Sequence, residues 1–555
     1  MSNYTTPGVY VEEISTLPPS VAQVATAIPA FIGYTAKGPL NSPTRISSML
    51  EYESIFGGPK MSDFSVSYTT DANTGVTSIG EPSRTSTDSF ILYYCMKLFF
   101  ANGGGSCYIV SVGAYGTKSQ NDFSAGLSAI EKVDEPTLLL LTDALSLGTV
   151  SYGALCQMAM TQCAKLKDRF TIIDIEANDS DGSTFRNQSL GNLSYGAAYT
   201  PHLLTSMTYE YAESGVTVID ESVSHPTWTK SINLTMASGS GTIEGAYAGD
   251  SNTSPRPKIK IESASANSAI TFEEASNRLT IKLPDFSTGV TLQQIMDAWA
   301  NASPGNFSLS TTGDTGAQIS SAPTSDQNFD APAASSSYSM ADLETSNTYI
   351  YNLVKAKLTS VYITLPPSAA MAGIYARVDG TRGVWKAPAN EVLAGVIGPA
   401  AVISHEEQGR LNVDPTSGKS INAIRSFTGK GTLVWGARTL AGNDNEWRYI
   451  NVRRLFITIE ESVQKASAFA VFEANDATTW LKVKAMIDNY LYGLWQQGAL
   501  AGPTPEASYF VNVGLGKTMT NQDILEGRMI VDIGIAAVRP AEFIVLRFSH
   551  KLQEA

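Results

Sequence analysis

Three Gly-Lys dipeptides come nearest to a phosphate-binding loop in this sequence. Such a loop has a glycine five residues before the Gly-Lys pair, because glycine lets the backbone turn its N–H groups onto a phosphate. Val511 stands at that position before Gly516-Lys517, and Val413 stands there before Gly418-Lys419. The third pair, at Gly429, lacks the serine or threonine that follows the lysine. The pattern predicts ordinary turns and no nucleotide cofactor.

Metal chemistry has equally little support. None of the four histidines forms the two-histidine helix pair of a zinc enzyme, because Gly409 stands where a second histidine would follow the 405–407 run HEE. The acidic loop 179–182 (DSDG) resembles the middle of a calcium loop, but Ala177 and Gln188 occupy its first and last ligand positions. We interpret this loop as solvent-exposed and predict no metal site.

Cysteine chemistry is also not indicated. The chain has four cysteines, Cys95, Cys107, Cys156 and Cys163. A pattern of buried small hydrophobic residues explains them better than a redox pair, and so few cysteines in a long chain are typical of reduced thiols in a cytoplasm. No nucleophile elbow or supported Ser/His/Asp set occurs. We therefore predict a protein with no catalytic residues, no metal and no cofactor, which is not an enzyme.

Composition limits the remaining function classes. A chain of 555 residues is longer than the chain that folds around one hydrophobic core, so several domains are expected. The 38 basic and 52 acidic residues give a net charge of −14, which disfavours direct nucleic-acid binding. Charged residues make up only 16%, which suits a protein with much surface hidden by partners. We expect no signal peptide and no membrane insertion.

Hydrophobic patterns predict an α/β protein of mixed helix and strand content. A helix over 89–101 ends at a glycine run, and a buried strand over 107–112 follows. Strands over 137–142 and 170–175 flank a helix over 151–168, which predicts a parallel βαβ unit. Between 213 and 341 we expect a β-rich insertion with strands over 258–261 and 279–283, a helix over 292–300 and a flexible tether over 308–339.

The C-terminal region predicts helices over 466–472 and 478–496 and strands over 529–538 and 543–552. The last strand and a short one at 9–12 have no partner nearby in sequence, so each must pair far away in its own chain or with another copy. The predicted domains are a linking arm (1–30), an α/β middle domain (31–212 and 349–395), the surface insertion (213–348), a C-terminal inner domain (396–538) and a second linking strand (539–555).

Six stretches, in order along the chain, resemble the contractile tail sheath proteins of phages and related injection systems. They are 6–13 (TPGVYVEE), 98–110 (LFFANGGGSCYIV), 383–390 (GVWKAPAN), 434–440 (VWGARTL), 447–456 (WRYINVRRLF) and 457–462 (ITIEES). The resemblance covers about 1–210 and 349–555, and the insertion lies outside it. Each stretch alone is modest, but the order and spread of all six make the resemblance specific.

The resemblance implies a structural subunit, made in the bacterial cytoplasm, that polymerises as stacked hexameric rings in the outer layer of a phage tail or tail-like particle. Contraction of this helical array would drive an inner tube through a target envelope. Expected partners are the chain itself, the inner tube protein, and baseplate and terminal cap proteins. A non-contractile shell or surface-layer protein is the alternative, and a hydrolase built on the α/β domain is a weaker one.

Two terminal runs and three lysines are the predicted contact residues. Both runs are expected to complete a sheet in neighbouring copies, so that the array propagates without closing. Basic residues on the C-terminal helices are expected to face an acidic tube. Arg453 and Arg454, which lie beside Glu460 and Glu461, are expected to form ion pairs within the domain or between subunits. The N-terminal run is Val9, Tyr10, Val11 and Glu12, the C-terminal run is Phe543, Ile544, Val545, Leu546, Arg547 and Phe548, and the tube candidates are Lys465, Lys482 and Lys484.

Overall fold

Helices and strands alternate along most of the chain in a computed structural model of the protein. The structure describes residues 20–71, 74–86, 90–179, 181–221, 227–248, 254–265, 268–302, 305–330 and 336–547. These residues divide into two units: unit 1 lies within Met1–Met61, Asp88–Glu210 and Tyr362–Ala555, and unit 2 within Ser62–Thr87 and Tyr211–Val361. No helix among the described residues is both long and apolar enough to cross a membrane.

The strands are β1 (Pro29–Thr35), β2 (Thr44–Ile46), β3 (Phe64–Thr70), β4 (Thr77–Ile79), β5 (Ser83–Arg84), β6 (Cys107–Ala114), β7 (Leu138–Leu140), β8 (Phe170–Asp174), β9 (Gly196–Thr200), β10 (Leu203–Thr208), β11 (Val216–Asp220), β12 (Thr227–Met236), β13 (Ser240–Ala248), β14 (Lys258–Ser263), β15 (Thr271–Ala275), β16 (Arg278–Leu283), β17 (Phe307–Gly313), β18 (Ile319–Ser321), β19 (Gln327–Asn328), β20 (Ser336–Ser339), β21 (Tyr362–Leu365), β22 (Val396–Pro399), β23 (Ile421–Phe427), β24 (Gly431–Val434), β25 (Tyr509–Val513) and β26 (Val531–Ile535). The helices are α1 (Met49–Phe56), α2 (Leu92–Ala101), α3 (Gln120–Ile130), α4 (Thr149–Leu166), α5 (Ser183–Arg186), α6 (Leu292–Trp299), α7 (Met340–Ser346), α8 (Thr348–Leu358), α9 (Ser368–Arg382), α10 (His405–Asn412), α11 (Ile450–Ala466), α12 (Ala477–Gln496), α13 (Pro505–Ser508) and α14 (Asn521–Leu525).

Unit 1 is built on an eight-stranded sheet with the order β2-β6-β1-β7-β8-β9-β23-β24. The strands from β6 to β23 are parallel, and the two edge strands run antiparallel to their neighbours. The crossover from β7 through α4 to β8 confirms the predicted parallel βαβ unit. A second, three-stranded sheet in the same unit has the order β21-β10-β22.

Both faces of the large sheet are covered by helices, which is why its strands are apolar on both sides. Leu138 and Leu140 lie in a core with α2 and α9, whereas Leu139, on the other face, lies in a core with α3 and α4. All four cysteines are buried, as predicted. Burial raises the pKa of Cys156 and of Cys163 to about 12, so both thiols stay protonated and unreactive at neutral pH.

Two buried carboxylates hold helices against this sheet. Asp174, at the end of β8, accepts hydrogen bonds from the Ser368 backbone N–H (2.7 Å) and hydroxyl (2.6 Å) at the start of α9. Asp143 accepts from the backbone N–H groups of Ile91 (2.7 Å) and Leu92 (3.2 Å) at the start of α2. Burial raises the pKa of Asp174 to about 7 and that of Asp143 above its usual value. Both groups therefore serve as helix caps.

The C-terminal part of unit 1 forms a further core around α11 and α12. Leu455 and Ile459 of α11 pack there with Val483 of α12. Ile450 and Ile457, which lie on another side of α11, belong to the core beneath the large sheet. Because a single helix contributes to both cores, α11 joins the C-terminal elements to the α/β sheet.

Unit 2 is rich in strands. Its first sheet has the order β20-β11-β3-β4, with β5 paired to β3. Two four-stranded sheets, β17-β13-β12-β18 and β15-β16-β14-β19, share one core with α6, in which Ile243, Ile259 and Leu292 are buried. The predicted strands at 258–261 and 279–283 are parts of β14 and β16, and the predicted helix is α6.

The unit boundaries differ from the predicted domain limits. Residues 62–86, predicted in the α/β middle domain, belong to unit 2 because β3 pairs in parallel with β11. Residues 349–361 belong to the same unit, where the Tyr351 hydroxyl donates to Glu213 (2.6 Å). Strand β23, predicted in the C-terminal domain, pairs with β9 in the large sheet. Composition cannot reveal such pairings between distant segments.

Two local predictions were wrong. The tether predicted over 308–339 contains β17 to β20, because Phe307, Leu309 and Ile319 alternate with polar residues and bury one face. The helix predicted over 466–472 is the end of α11 followed by a 3₁₀ turn, Ser467–Ala470. The apolar periodicity of that helix begins at Ile450, well before the predicted start.

The burial of Asp174 predicts a pH dependence of stability. Its pKa in the folded protein lies above the value of about 4 expected in the unfolded chain, so the folded state binds the extra proton. The contribution of Asp174 to the free energy of unfolding is therefore fully present below about pH 4, declines as pH rises, and levels off above about pH 7. Asp174→Asn should reduce the loss of melting temperature between about pH 5 and pH 8. The exposed Asp314→Asn is the control, and an unchanged slope in Asp174→Asn would contradict the assignment.

Candidate functional site

A two-stranded antiparallel sheet, β25–β26, lies in the C-terminal part of unit 1. Beyond one end of the ladder, the Ala536 N–H donates to the Ser508 carbonyl (2.8 Å). Because ladder bonds alternate along antiparallel strands, Phe510 bonds to β26, whereas Val511 turns its N–H and C=O outward. The residues with outward backbone groups are Tyr509, Val511 and Val513 on β25 and Val531, Ile533 and Ile535 on β26.

The outer edges of this sheet differ in how far they are covered: Val511 on β25 is 3% exposed and its carbonyl accepts from Lys484, whereas Ile533 on β26 is 36% exposed. No strand among the described residues pairs with the outer edge of β25 or of β26. Outward N–H and C=O groups attract a further strand, and a sheet of two strands gains stability when more are added. The outward groups of β26 are therefore the more accessible of the two sets.

The two faces of the sheet differ in the exposure of their side chains. Val511 is 3% exposed and packs in the core around α12. On the opposite face Phe510 is 53% exposed, and its ring covers Gly534, where a Cβ atom would lie within 2.2 Å of the ring. Since both faces present apolar side chains beside the edges, a strand that is apolar on both sides suits them.

The predicted C-terminal run is exposed in the described part of the chain. The exposed fractions of Phe543, Ile544, Val545 and Leu546 lie between 71% and 78%. Phe548 lies outside the described residues, and 543–547 form no strand in the single chain. The strand expected over 543–552 is thus not formed by its described part, 543–547. Its pairing with another copy stays a prediction.

The segment just before this run is fastened to the body. Glu542 accepts hydrogen bonds from the Arg438 guanidinium (2.7 and 3.0 Å), the Asn412 amide (2.7 Å) and the Tyr449 hydroxyl (3.2 Å). Burial alone would raise the pKa of Glu542, but the hydrogen bonds from Arg438 and Asn412 lower it. The Asn451 amide of α11 also donates to the Val538 carbonyl (3.1 Å). The residues just before the C-terminal run are therefore held to the rest of unit 1 by hydrogen bonds at Val538 and Glu542.

The N-terminal run Val9, Tyr10, Val11 and Glu12 lies outside the described residues. The chain that follows it runs along α11. The Val24 N–H donates to the Ser462 hydroxyl (3.2 Å), and the Arg454 guanidinium donates to the Thr26 carbonyl (2.6 Å). One helix thus holds the chain segments that lead to both terminal runs.

Buried ion pairs hold α11 in place. Arg454 pairs with Asp379 of α9 (Nη1 to Oδ1, 3.0 Å), and both side chains are at most 5% exposed. The Arg453 guanidinium lies over the rings of Tyr195 (4.2 Å) and Trp447 (4.5 Å). Of the two predicted alternatives, ion pairs within the domain or between subunits, the structure shows pairs within the chain: Arg453 with Glu460 (3.7 Å) and Arg454 with Asp379. Removal of one partner of a buried ion pair lowers the free energy of unfolding by several kcal/mol, so this pair stabilises the packing of α11 against α9.

The three predicted tube lysines differ in their surroundings. Lys465 bonds to Glu461 and to Asp134, each at 2.7 Å. Lys484 donates to the Val511 carbonyl (2.7 Å) and pairs with Asp488 (2.9 Å). Lys482 is exposed and makes no ion pair with any described residue. Two of these cations thus have partners in their own chain.

The motifs considered for chemistry have structural explanations. Gly516 donates to the Met519 carbonyl (2.9 Å) in an ordinary turn. Asp179 was wrongly predicted as solvent-exposed: it is 7% exposed and accepts from the backbone of Thr184 and Phe185, capping α5. His405 begins α10 behind a capping box. No group of three or more potential metal ligands occurs in the part of the chain that the structure describes.

Comparisons with known proteins agree with the predicted resemblance. Residues 442–551 match the family described as phage tail sheath C-terminal domain. The chain is 24% identical over 185 residues to the tail sheath protein of Vibrio phage KVP40 (33% of this chain, 26% of that protein). It is 27% identical over 168 residues to the tail sheath protein of Enterobacteria phage T4 (30% of this chain, 24% of that protein). These matches span about a quarter of each relative's length.

A solved structure is similar over nearly the whole chain. The sheath complex of an extracellular contractile injection system, PVC, in its contracted state aligns over 99% of both chains with 26% identity and a TM-score of 0.53. The α/β, multidomain fold class and the resemblance to contractile tail sheath proteins are thereby confirmed.

Sequence reasoning missed the sheet at the centre of this site. It predicted the region of β26 but not its partner β25, although Phe510 and its neighbours (YFVNV) alternate as a strand does. Neither the Arg438–Glu542 clamp nor the contact of Lys484 with the Val511 carbonyl could be predicted, because each joins distant segments.

The Glu542 clamp gives a prediction. Glu542→Gln removes the charge that Arg438 neutralises, and a charge-assisted contact of this kind contributes enough that local opening should rise by about tenfold. Hydrogen–deuterium exchange of the 536–543 backbone is the measurement, with the exposed Glu446→Gln as control. Unchanged exchange in Glu542→Gln would show that the clamp does not hold this segment.

Proposed function

We propose that this chain is a structural subunit of a contractile sheath. It polymerises as stacked hexameric rings around an inner tube, and contraction of the polymer drives the tube through a target envelope. The observation that carries this proposal is the β25–β26 sheet, to which no further strand pairs among the described residues, in a chain whose residues 543–546 are exposed and apolar. The similarity to a sheath complex in a contracted state supports it.

The subunits are joined by strand addition. Each chain has two sheet edges without a paired strand among its described residues and two terminal runs, so residues 9–12 and 543–548 would each complete the β25–β26 sheet of a different neighbour. Backbone hydrogen bonds supply affinity without close side-chain matching. Such contacts are heterologous, so they extend as rings and a helical array and do not stop at a dimer.

The same linkage suits contraction. Glu542 and Arg454 hold the roots of both terminal runs to the body, so the chain beyond each root acts as a tether. Strand pairing can persist while bodies rotate about these tethers, and new contacts between bodies supply the free energy of contraction. The subunit needs no nucleotide for this step.

The remaining partners follow from this role. We place Lys482 on the tube contact, because its ammonium is exposed, whereas Lys465 and Lys484 have carboxylate partners of their own. Further partners are baseplate and terminal cap proteins. The subunit is made in the bacterial cytoplasm and ends in the outer layer of a tail or tail-like particle, with the 213–348 insertion on its outer surface.

Removal of either terminal run tests the strand-addition model. Deletion of residues 1–20, or separately of 543–555, should leave soluble monomers, because each deletion removes one added strand per subunit. Light scattering after size exclusion measures the mass, and electron microscopy with co-expressed tube protein shows whether striated polymers form around a core. The strand at 327–328 in the insertion is not expected to be needed for polymerisation, so its deletion serves as the control. Normal long polymers from either terminal deletion would contradict the model, and sheets without a core would favour a non-contractile shell.

A further inference from the structure

A small cavity lies between α11, the large sheet and the 24–28 segment. Its volume is about 10 Å³, which is close to the smallest that holds one water molecule. The 24–28 segment contributes Ala25 and Thr26 to the lining, β8 contributes Phe170, and α11 contributes four residues. The cavity therefore lies where the chain near its N-terminal end meets the helix that joins the two cores of unit 1.

Most of the lining is polar. Five of the eight lining residues carry polar side chains: Thr26, Thr137, Arg454, Thr458 and Glu461. A small apolar cavity stays dry, whereas a polar one binds a water molecule that makes two to four hydrogen bonds. The chemistry of this lining thus favours a bound water.

Glu461 lies in the lining with one carboxylate oxygen unsatisfied. The side chain is 6% exposed, and its Oε1 accepts from the Lys465 ammonium (2.7 Å). The Oε2 atom is buried and accepts no hydrogen bond from any described residue. Burial raises the pKa of Glu461 above its usual value, although the hydrogen bond from Lys465 opposes this shift. A buried oxygen without a donor raises the free energy of the folded state, and in native proteins such an atom commonly bonds to ordered water.

Two oxygens near the cavity have hydrogen-bond partners and can still accept a further bond. The Thr26 carbonyl accepts from the Arg454 guanidinium (2.6 Å), and the Thr458 hydroxyl donates to the Arg454 carbonyl (3.0 Å). A carbonyl oxygen and a hydroxyl oxygen each have two lone pairs. A water that donates one hydrogen to Glu461 can therefore donate the other to the 24–28 segment, whose backbone acceptor at this point is the Thr26 carbonyl.

The charges around the cavity favour a neutral occupant over a cation. The Arg454 guanidinium, which pairs with Asp379 (Nη1 to Oδ1, 3.0 Å), is part of the lining. A metal ion there would be repelled by this buried charge. Lys465 already balances the charge of Glu461 through the other carboxylate oxygen.

We infer that the cavity binds one structural water molecule, which bridges the Oε2 atom of Glu461 on α11 to the Thr26 carbonyl of the 24–28 segment. The segment already bonds to α11 through the Val24 N–H and the Thr26 carbonyl, and the water adds a third contact. This site goes beyond the proposed function, because it belongs to the single chain and does not depend on polymerisation.

A density map of the full chain, at a resolution that shows ordered waters, tests the site directly. We expect a single peak at about 2.6–3.2 Å from both Glu461 Oε2 and the Thr26 carbonyl oxygen. A peak at about 2.0–2.6 Å from several oxygens would identify a metal ion and would contradict the inference. A cavity without a peak, or a peak that bonds to Glu461 but not to the 24–28 segment, would contradict it as well.

Hydrogen–deuterium exchange of residues 24–28 tests the bridge in solution. Glu461→Leu removes the acceptor, so the exchange of these amides should rise by about fivefold, as expected for the loss of one water-mediated hydrogen bond. Glu461→Gln keeps polar atoms at the cavity, so exchange should stay within about twofold of the unaltered protein. Lys465→Met is the matched control, because it removes the ion pair at Oε1 but leaves Oε2, and its exchange should also stay within about twofold.

The comparison among these variants separates the water bridge from the ion pair. An equal rise in Glu461→Leu and in either of the other two variants would show that the segment is not held through Oε2, and would overturn the inference. Unchanged exchange in Glu461→Leu would overturn it too. Circular dichroism melting checks that each variant is folded, and the density map of the unaltered protein decides the matter if Glu461→Leu fails to fold.

Discussion

A ladder of only two strands leaves every second backbone N–H and C=O group facing outward, and this constraint shapes the C-terminal region of the molecule. Val511 and Ile533 present such groups on opposite edges of the β25–β26 sheet. Backbone groups at an edge bond to any extended chain of suitable register, so contacts made there depend little on side-chain identity. Such tolerance would suit the repeated contacts of the proposed polymer.

Helix α11 connects these edges to the rest of unit 1. It contributes to the core beneath the large sheet and to the core around α12, and its Arg454 is paired with Asp379 out of water. The same helix bonds to the backbone at Thr26 and at Val538. The helix that is held by the buried ion pair therefore also holds the chain near both ends of the described region.

Local patterns predicted the parts of the fold that are governed by nearest neighbours. The βαβ unit around α4, the helix α12 and the buried cysteines followed from apolar periodicity. Pairings between distant segments did not, because nothing near Phe64 indicates that its strand joins β11. The candidate site could not be predicted for the same reason. The sequence predicted two lone terminal strands, whereas the β25–β26 sheet depends on a pairing of segments that are distant in the chain.

The most direct measurement is a cryo-electron microscopy map of the assembled polymer, at a resolution that traces individual strands through the C-terminal region. Strand addition requires a four-stranded sheet there, whose inner strands are β25 and β26 of one chain and whose outer strands belong to two other chains. A sheet that remains two-stranded, or one completed by the terminal runs of its own chain, would contradict it.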